Sequence, residues 1–231
     1  MKLSMSDYKK KLRKIAINFN KLSEQKNYSQ NFDWLGVKIV KLPTDLHVFQ
    51  EIIFKTKPKF IIETGIAHGG SLLFLASMQK LMNIQGKVIG VDINLRKDNE
   101  KKIKKHPIYK NKVILLKGSS TDLKIIKKIK SIIKNSKTMV ILDSNHTESH
   151  VLEELRLYSE IVSKKNYLIV QDTGIIHMPE KMNINRMWSK KNNPYTAVQK
   201  FLRTNKKFKI DYDIFEKIYF SASPEGFLLK K

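Results

Sequence analysis

The chain has no cysteine among its 231 residues. That absence excludes disulfides, thiolate zinc sites and cysteine nucleophiles. There is no apolar leader of signal-peptide type and no apolar run of membrane-spanning length, so a cytoplasmic protein is expected. Acids are scarce, 21 against 45 lysines and arginines, which gives a net charge of +24 and a pI near 10. A nucleic-acid binder would show such numbers. Arginine, the side chain suited to bidentate phosphate and base contacts, is scarce too. Arg13, Arg96, Arg156, Arg186 and Arg203 are the only five, and the other 40 basic residues are lysines. The lysines are dispersed among abundant Asn and Ile, a pattern of compositional drift in an AT-rich genome. Dispersed charge bears on solubility first. No nucleic-acid partner is expected, and a weak association with acidic polysaccharide or anionic lipid stays open.

What is present suffices for a core: 41% of residues are hydrophobic, despite a mean hydropathy of -0.37. The length suits one domain with a short appendage. Met5, Tyr8, Leu12, Ile15, Ala16, Phe19 and Leu22 recur at helical spacing and predict an amphipathic helix over 5–22. Its lysines would allow a membrane-surface role; packing on the domain or a partner subunit is favoured. Residues 23–31 are polar, and a second helix is expected over 44–55. Residues 1–55 therefore read as an N-terminal helical appendage and 56–231 as the main domain. There, strands at 59–63, 87–92, 112–116, 138–142 and 166–171 alternate with helices at 70–82, 98–105, 122–134 and 148–162. This predicts an α/β, doubly wound, mostly parallel sheet of about seven strands. A long aperiodic segment, 174–193, precedes a helix that opens at Pro194. Two closing strands are expected at 208–213 and 217–222, followed by a tail.

Phe60–Asp92 reads as strand, glycine turn, helix and strand, with Glu63 and Asp92 at the strand ends. Ligands of open α/β sheets bind outside the carboxyl ends of the strands. A helix beginning at Gly69-Gly70-Ser71 offers free backbone N–H groups there. The dinucleotide pattern G-x-G-x-x-G is missing, because Ile-Ala-His separates Gly65 from Gly69. A loose turn plus an acid on the next strand suits a nucleoside without pyrophosphate, and S-adenosylmethionine fits that description.

Two later strands also end in acids, at Asp143 and at Gln171-Asp172. If they are neighbours, Asp143 and Asp172 can share a hard cation such as magnesium, with Gln171 offering a carbonyl oxygen. His146, three residues past Asp143, is placed to accept a hydroxyl proton. The alternative is that these acids cap helices and His146 lies in a surface loop. His146-Thr147-Glu148 with His177 also spells an iron-binding order, but Glu148 opens a helix and is expected to turn away. His177, Arg186 and Trp188 suggest a lid over an acceptor; packing of that loop on the core is the equal alternative. His68, in the glycine turn, reads as a tolerated loop residue, with contact to cofactor or substrate as the alternative; His106 and His150 read as structural.

The blocks IIETGIAHGGSLLFLASM, GKVIGVDI, HPIYKNKVILLKGSSTD, VILDSNHTESHVLEELRLYSEIV and NNPYTAVQKFL resemble the cephalosporin hydroxylase family over residues 30–229. Despite that label, its members have the class I, Rossmann-like fold of S-adenosylmethionine-dependent methyltransferases. They include rhamnosyl O-methyltransferases, and the site resembles that of macrolide-sugar O-methyltransferases. The resemblance implies that Glu63, Gly65 and Ser71 contact the methionine part of the cofactor, that Asp92 binds the ribose, and that Ser119 and Ser120 lie near the adenine. Asp143 would serve both cofactor and magnesium, Gln171 and Asp172 would complete the metal site, and His146 would be the general base. It also implies a small-molecule or glycan acceptor and a homo-oligomer. The family usually has Glu where this chain has Gln171, which removes one negative charge. The expected function is magnesium-assisted O-methylation of a sugar hydroxyl. A nucleic-acid methyltransferase and a catalytically impaired assembly protein are the alternatives.

Overall fold

The computed structural model describes residues 4–182 and 184–231; Asn183, within the aperiodic segment, lies outside them. A seven-stranded sheet forms the centre of the molecule. It contains β3 (Phe60–Thr64), β4 (Lys87–Asp92), β5 (Val113–Lys117), β6 (Thr138–Leu142), β7 (Tyr167–Val170), β8 (Phe208–Ile210) and β9 (Phe227–Lys230). Its order is β5-β4-β3-β6-β7-β9-β8. Strands β3 to β7 are mutually parallel, and β9 runs antiparallel to both β7 and β8. Parallel strands covered on both faces read as continuous apolar runs, and β6 (TMVIL) is buried at every position.

The five parallel strands lie within a residue or so of where the apolar runs place them. Of the closing strands, β8 begins where expected but ends early, at Ile210, and the second lies elsewhere. Residues 212–217, expected to hold the end of the first closing strand, the turn and the start of the second, form helix α9 (Tyr212–Lys217), opened by the Asp211 carboxylate accepting from Asp213 N–H. The last strand lies in the supposed tail instead of at 217–222. Phe227 and Leu228 are buried and pair with Ile169 and Leu168 of β7. Burial of Phe-Leu-Leu against the sheet outweighs the β propensity of Ile218-Tyr219-Phe220.

Helices cover both faces. On one lie α2 (Pro43–Thr56) and α3 (Gly70–Leu81), and a core of Phe49, Ile53, Ile61, Leu72, Ile141 and Ile169 joins them to the sheet. On the other, α6 (Leu123–Ile133), α7 (Glu148–Ser159) and α8 (Pro194–Thr204) enclose Ile62, Ile129, Val140, Leu155, Leu168 and Val198. Asn193 and Thr196 form a reciprocal cap at the start of α8, with Pro194 in its first turn. Helix α4 (Lys97–Lys105) and the short α5 (Tyr109–Lys112) connect β4 to β5.

A hairpin of β1 (Phe32–Trp34) and β2 (Val37–Ile39) precedes α2. Leu35 and Gly36 both have positive φ, 50° and 78°, the conformation a tight hairpin turn requires. Val37 and Ile39 join the same core as the sheet. Helix α1 (Met5–Glu24) buries only Ala16. It is held by Lys9 and Arg13 on Glu216 and by Asn20 donating to the Ser221 carbonyl. No helix among the described residues is long and apolar enough to cross a membrane.

Candidate active site

Strand register brings the site together. Thr64 lies beside Val91 and Leu142, and Leu142 beside Val170. The next residue of each strand is therefore level across the sheet: Gly65, Asp92, Asp143 and Gln171. The ladder continues through them, with Gly65 N–H donating to Val91, Asp143 N–H to Thr64 and Gln171 N–H to Leu142. A cavity of about 530 Å³ opens over this edge and is lined by all four. A Cβ at Gly65, where φ is +79°, would lie 2.0 Å from the Asp143 carbonyl oxygen. Only glycine permits that approach of the turn to β6.

On the β4 side the arrangement is made of backbone. Asp92 accepts from Ile66 N–H at 2.8 Å and from Asn94 N–H at 2.7 Å, which fixes its carboxylate at the cavity wall. Gly69 precedes α3 without any side-chain cap. Ser71 and His68 line the cavity as well. Ser119 and Ser120 are not part of this wall. Ser120 is buried, in hydrogen-bond reach of Ser144 and His150, and Ser144 donates to Glu154 at 2.8 Å. His150 thus belongs to a buried polar network.

On the β6–β7 side the arrangement is made of charge. Ligand atoms of Asp143, His146 and Asp172 all lie within 4.8 Å of one another. His146 Nε2 is 3.3 Å from Asp172 Oδ2, and its ring meets Trp188 edge-on, with centroids 4.7 Å apart. Arg186 lies over the other ring of that pair, 5.2 Å from the Trp188 centroid. Asp172 adopts the left-handed conformation, φ 57°, a conformation uncommon outside glycine and concentrated at functional sites. Burial pushes its carboxyl pKa up and Asp143 adds to this, against the charges of His146 and Lys41; 38% exposure of the side chain tempers the effect. Gln171 is buried and donates from Nε2 to Ser223 Oγ at 2.8 Å, which leaves its carbonyl oxygen for another partner. Two carboxylates and an imidazole are gathered here, with Gln171 lining the same cavity; the carboxylate oxygens suit a hard divalent cation.

Glu63 departs from its expected place. It sits two residues below Gly65 in β3, opposite Gly90 and Ile141, fully buried and away from the cavity wall. It borders the cavity only through Ser71, which lines the wall. Its Oε2 accepts from Ser71 Oγ at 2.7 Å, and its Oε1 faces Lys41 Nζ at 3.5 Å. Burial pushes the Glu63 carboxyl up to about 7, against the opposing pull of Lys41 and Ser71.

Lys41 is the residue the sequence reading missed. Only 5% exposed, it pairs with both Asp143 and Glu63 and lines the cavity. Burial alone would lower its pKa; Asp143 and Glu63 outweigh burial and hold it above the ordinary lysine value. Its signal was available. Val37 and Ile39 are buried and Lys38 is exposed, so period-two alternation puts Lys41 on the inward phase. Asp45 was missed as well. It accepts from Ser221 Oγ and Ala222 N–H, and burial raises its pKa to about 6 against those hydrogen bonds. Of the lid residues, Arg186 and Trp188 reach the cavity, whereas His177 lies against α1 beside Lys21. Glu148 turns away to Lys200 at 2.6 Å, so the order His146-x-Glu148 is not gathered into a metal site.

The model of the Rhamnosyl O-methyltransferase/CmcI family matches residues 26–231. A rhamnosyl O-methyltransferase of Mycobacterium leprae (strain TN) is 30% identical over 205 residues, covering 86% of this chain and 82% of the relative. That of Mycobacterium tuberculosis (strain H37Rv) is 29% identical over 201 residues, covering 85% and 77%. A CmcI structure with magnesium and S-adenosylmethionine shares the fold, with a TM-score of 0.61 at 16% identity over 87% of this chain and 77% of that one. The level strand ends, the glycine turn and the match along nearly the whole length agree: the chain belongs to the Rhamnosyl O-methyltransferase/CmcI family and is, by class, an O-methyltransferase.

Proposed function

We propose that the protein transfers the methyl group of S-adenosylmethionine to a hydroxyl of a sugar, in a glycan or a glycosylated small molecule, with magnesium at Asp143 and Asp172. The observation that carries this reading is the convergence of Asp92, Asp143, His146 and Asp172 on one cavity in a chain related to rhamnosyl O-methyltransferases. Asp92 offers the ribose hydroxyls an acceptor whose position is set by two backbone N–H groups. Gly65 and Ser71 border the space for the methionine part. Magnesium, when bound, would orient the acceptor hydroxyl and ease its deprotonation; Asp143, Asp172 and the Gln171 carbonyl oxygen would hold it.

The chain's own task is alignment and removal of a proton. The acceptor oxygen forms its bond to the methyl carbon as the sulfur–methyl bond breaks, and the hydroxyl proton goes to the His146 imidazole. Trp188 and Asp172 fix that ring on two sides, so little reorientation is needed during the step. Trp188 and Met182 give the cavity an apolar side and Asn20 and Glu24 a polar one, a combination suited to a sugar.

The test is S-adenosylhomocysteine production with a panel of alkyl rhamnosides and other glycosides, followed by mass spectrometry of the products. A methylated glycoside whose formation is lost in His146→Ala supports the reading. Methylation of RNA alone, or no turnover with any glycoside, overturns it.

A further inference from the structure

Lys41 is buried within a carboxylate cluster that the proposed reaction does not require it to enter. Its ammonium is paired with Asp143 and stands 3.5 Å from Glu63 Oε1. Glu63 Oε1 has no directed hydrogen bond among the described residues, although it is fully buried. A buried carboxylate oxygen left in that state is costly. The ammonium therefore has two acceptors within reach, and at present it favours the one that borders the cavity.

We infer that Lys41 is a resident cation of the metal site: it occupies Asp143 when no metal is bound and yields that carboxylate to a divalent ion by moving onto Glu63. The inference rests on the metal reading above. Three features of the chain support it. Asp143 is shared by the ammonium and by the only cluster of potential metal ligands found among the described residues, so the two cations compete for one carboxylate. Gln171 is neutral, so apart from Lys41 the set holds two negative charges, and the ammonium cancels one of them. Glu63 provides a second berth one pleat below, bonded through Ser71 to the start of α3. Loading of the metal thus changes what Glu63 holds directly beneath the cofactor turn. Lys41 is a positioning residue in this scheme, since it touches neither the methyl group nor the acceptor oxygen.

The experiment is a titration of Mn²⁺, followed by electron paramagnetic resonance of the free ion, into the wild type, Lys41→Met and Lys41→Arg. Removing the competing charge is expected to tighten Mn²⁺ binding by about tenfold or more, because like charges at such separations interact strongly in a partly buried site. Lys41→Arg keeps the charge and is expected to stay within about threefold of the wild type. Lys41→Met with Glu63→Gln removes both buried charges and is expected to show the same tightening, which keeps the test intact if the single variant does not fold. Unchanged or weaker Mn²⁺ binding in a folded charge-removed variant overturns the inference, as does the absence of Mn²⁺ binding in all of them. S-adenosylmethionine titrated into the same proteins reports on the functional reading separately: its failure to bind would sink that reading whatever Mn²⁺ does.

Discussion

The two halves of the sheet edge border one cavity and are built from different materials. Over β3 and β4 the holding groups are a glycine turn, a helix start and an aspartate clamped by two backbone N–H groups. Their geometry follows from the ladder. Over β6 and β7 the holding groups are Asp143, Asp172, His146 and Lys41, whose geometry depends on which of them are charged. A backbone-built site is preorganised, whereas a charge-built site can rearrange when a cation enters.

The comparison can be broken outright at Gly65, where the halves touch. Gly65→Ala would force a Cβ into the Asp143 carbonyl; a loss of about 3 kcal/mol or more in stability is expected, together with loss of both ligands. Thermal melts with and without S-adenosylmethionine check this. His146→Ala is expected to lower kcat by roughly 10²- to 10⁴-fold while leaving the cofactor affinity near that of the wild type, as calorimetry and steady-state rates would show. The halves should also separate. Asp92→Asn is expected to weaken S-adenosylmethionine binding by about ten- to a hundredfold with little effect on Mn²⁺, and Asp143→Asn to weaken Mn²⁺ more than cofactor. Equal effects of both variants on both ligands would erase the distinction.

The smallest effect concerns pH. The Glu63 pKa is raised from 4.5 to about 7 in the folded protein, so the native state holds a proton that the unfolded chain releases. Its contribution to stability is therefore greatest below about pH 4.5 and declines as pH rises to about 7. Glu63→Gln should flatten the fall in Tm between pH 5 and 7.5 by a few degrees, roughly. Asp45, raised to about 6, and Asp172, also raised by burial, act in the same direction.

The parallel strands and the site acids were legible because both follow from local pattern. Ile61-Ile62 and Val140-Ile141-Leu142 can only be buried, and the acids that follow must fall at the carboxyl edge. Glu63 was legible as an acid in such a strand, but not the two-residue offset that buries it, because register between strands is not a local property. Lys41 was hidden by abundance, one lysine among 40, although its phase in the hairpin strand marked it. The last strand was missed because residues 218–220 have the stronger β propensity, while the tertiary contact belongs to Phe227 and Leu228. Gln171 was recognised as the departure from the family pattern, and its bond to Ser223 could not be read from spacing.

The most direct test of the account is a calorimetric titration of S-adenosylmethionine into the wild-type protein, in EDTA and then with magnesium. One-to-one saturable binding is expected in both conditions, since Asp92 and the glycine turn need no metal. No binding heat at millimolar ligand in either condition, confirmed by an unshifted Tm, would contradict it.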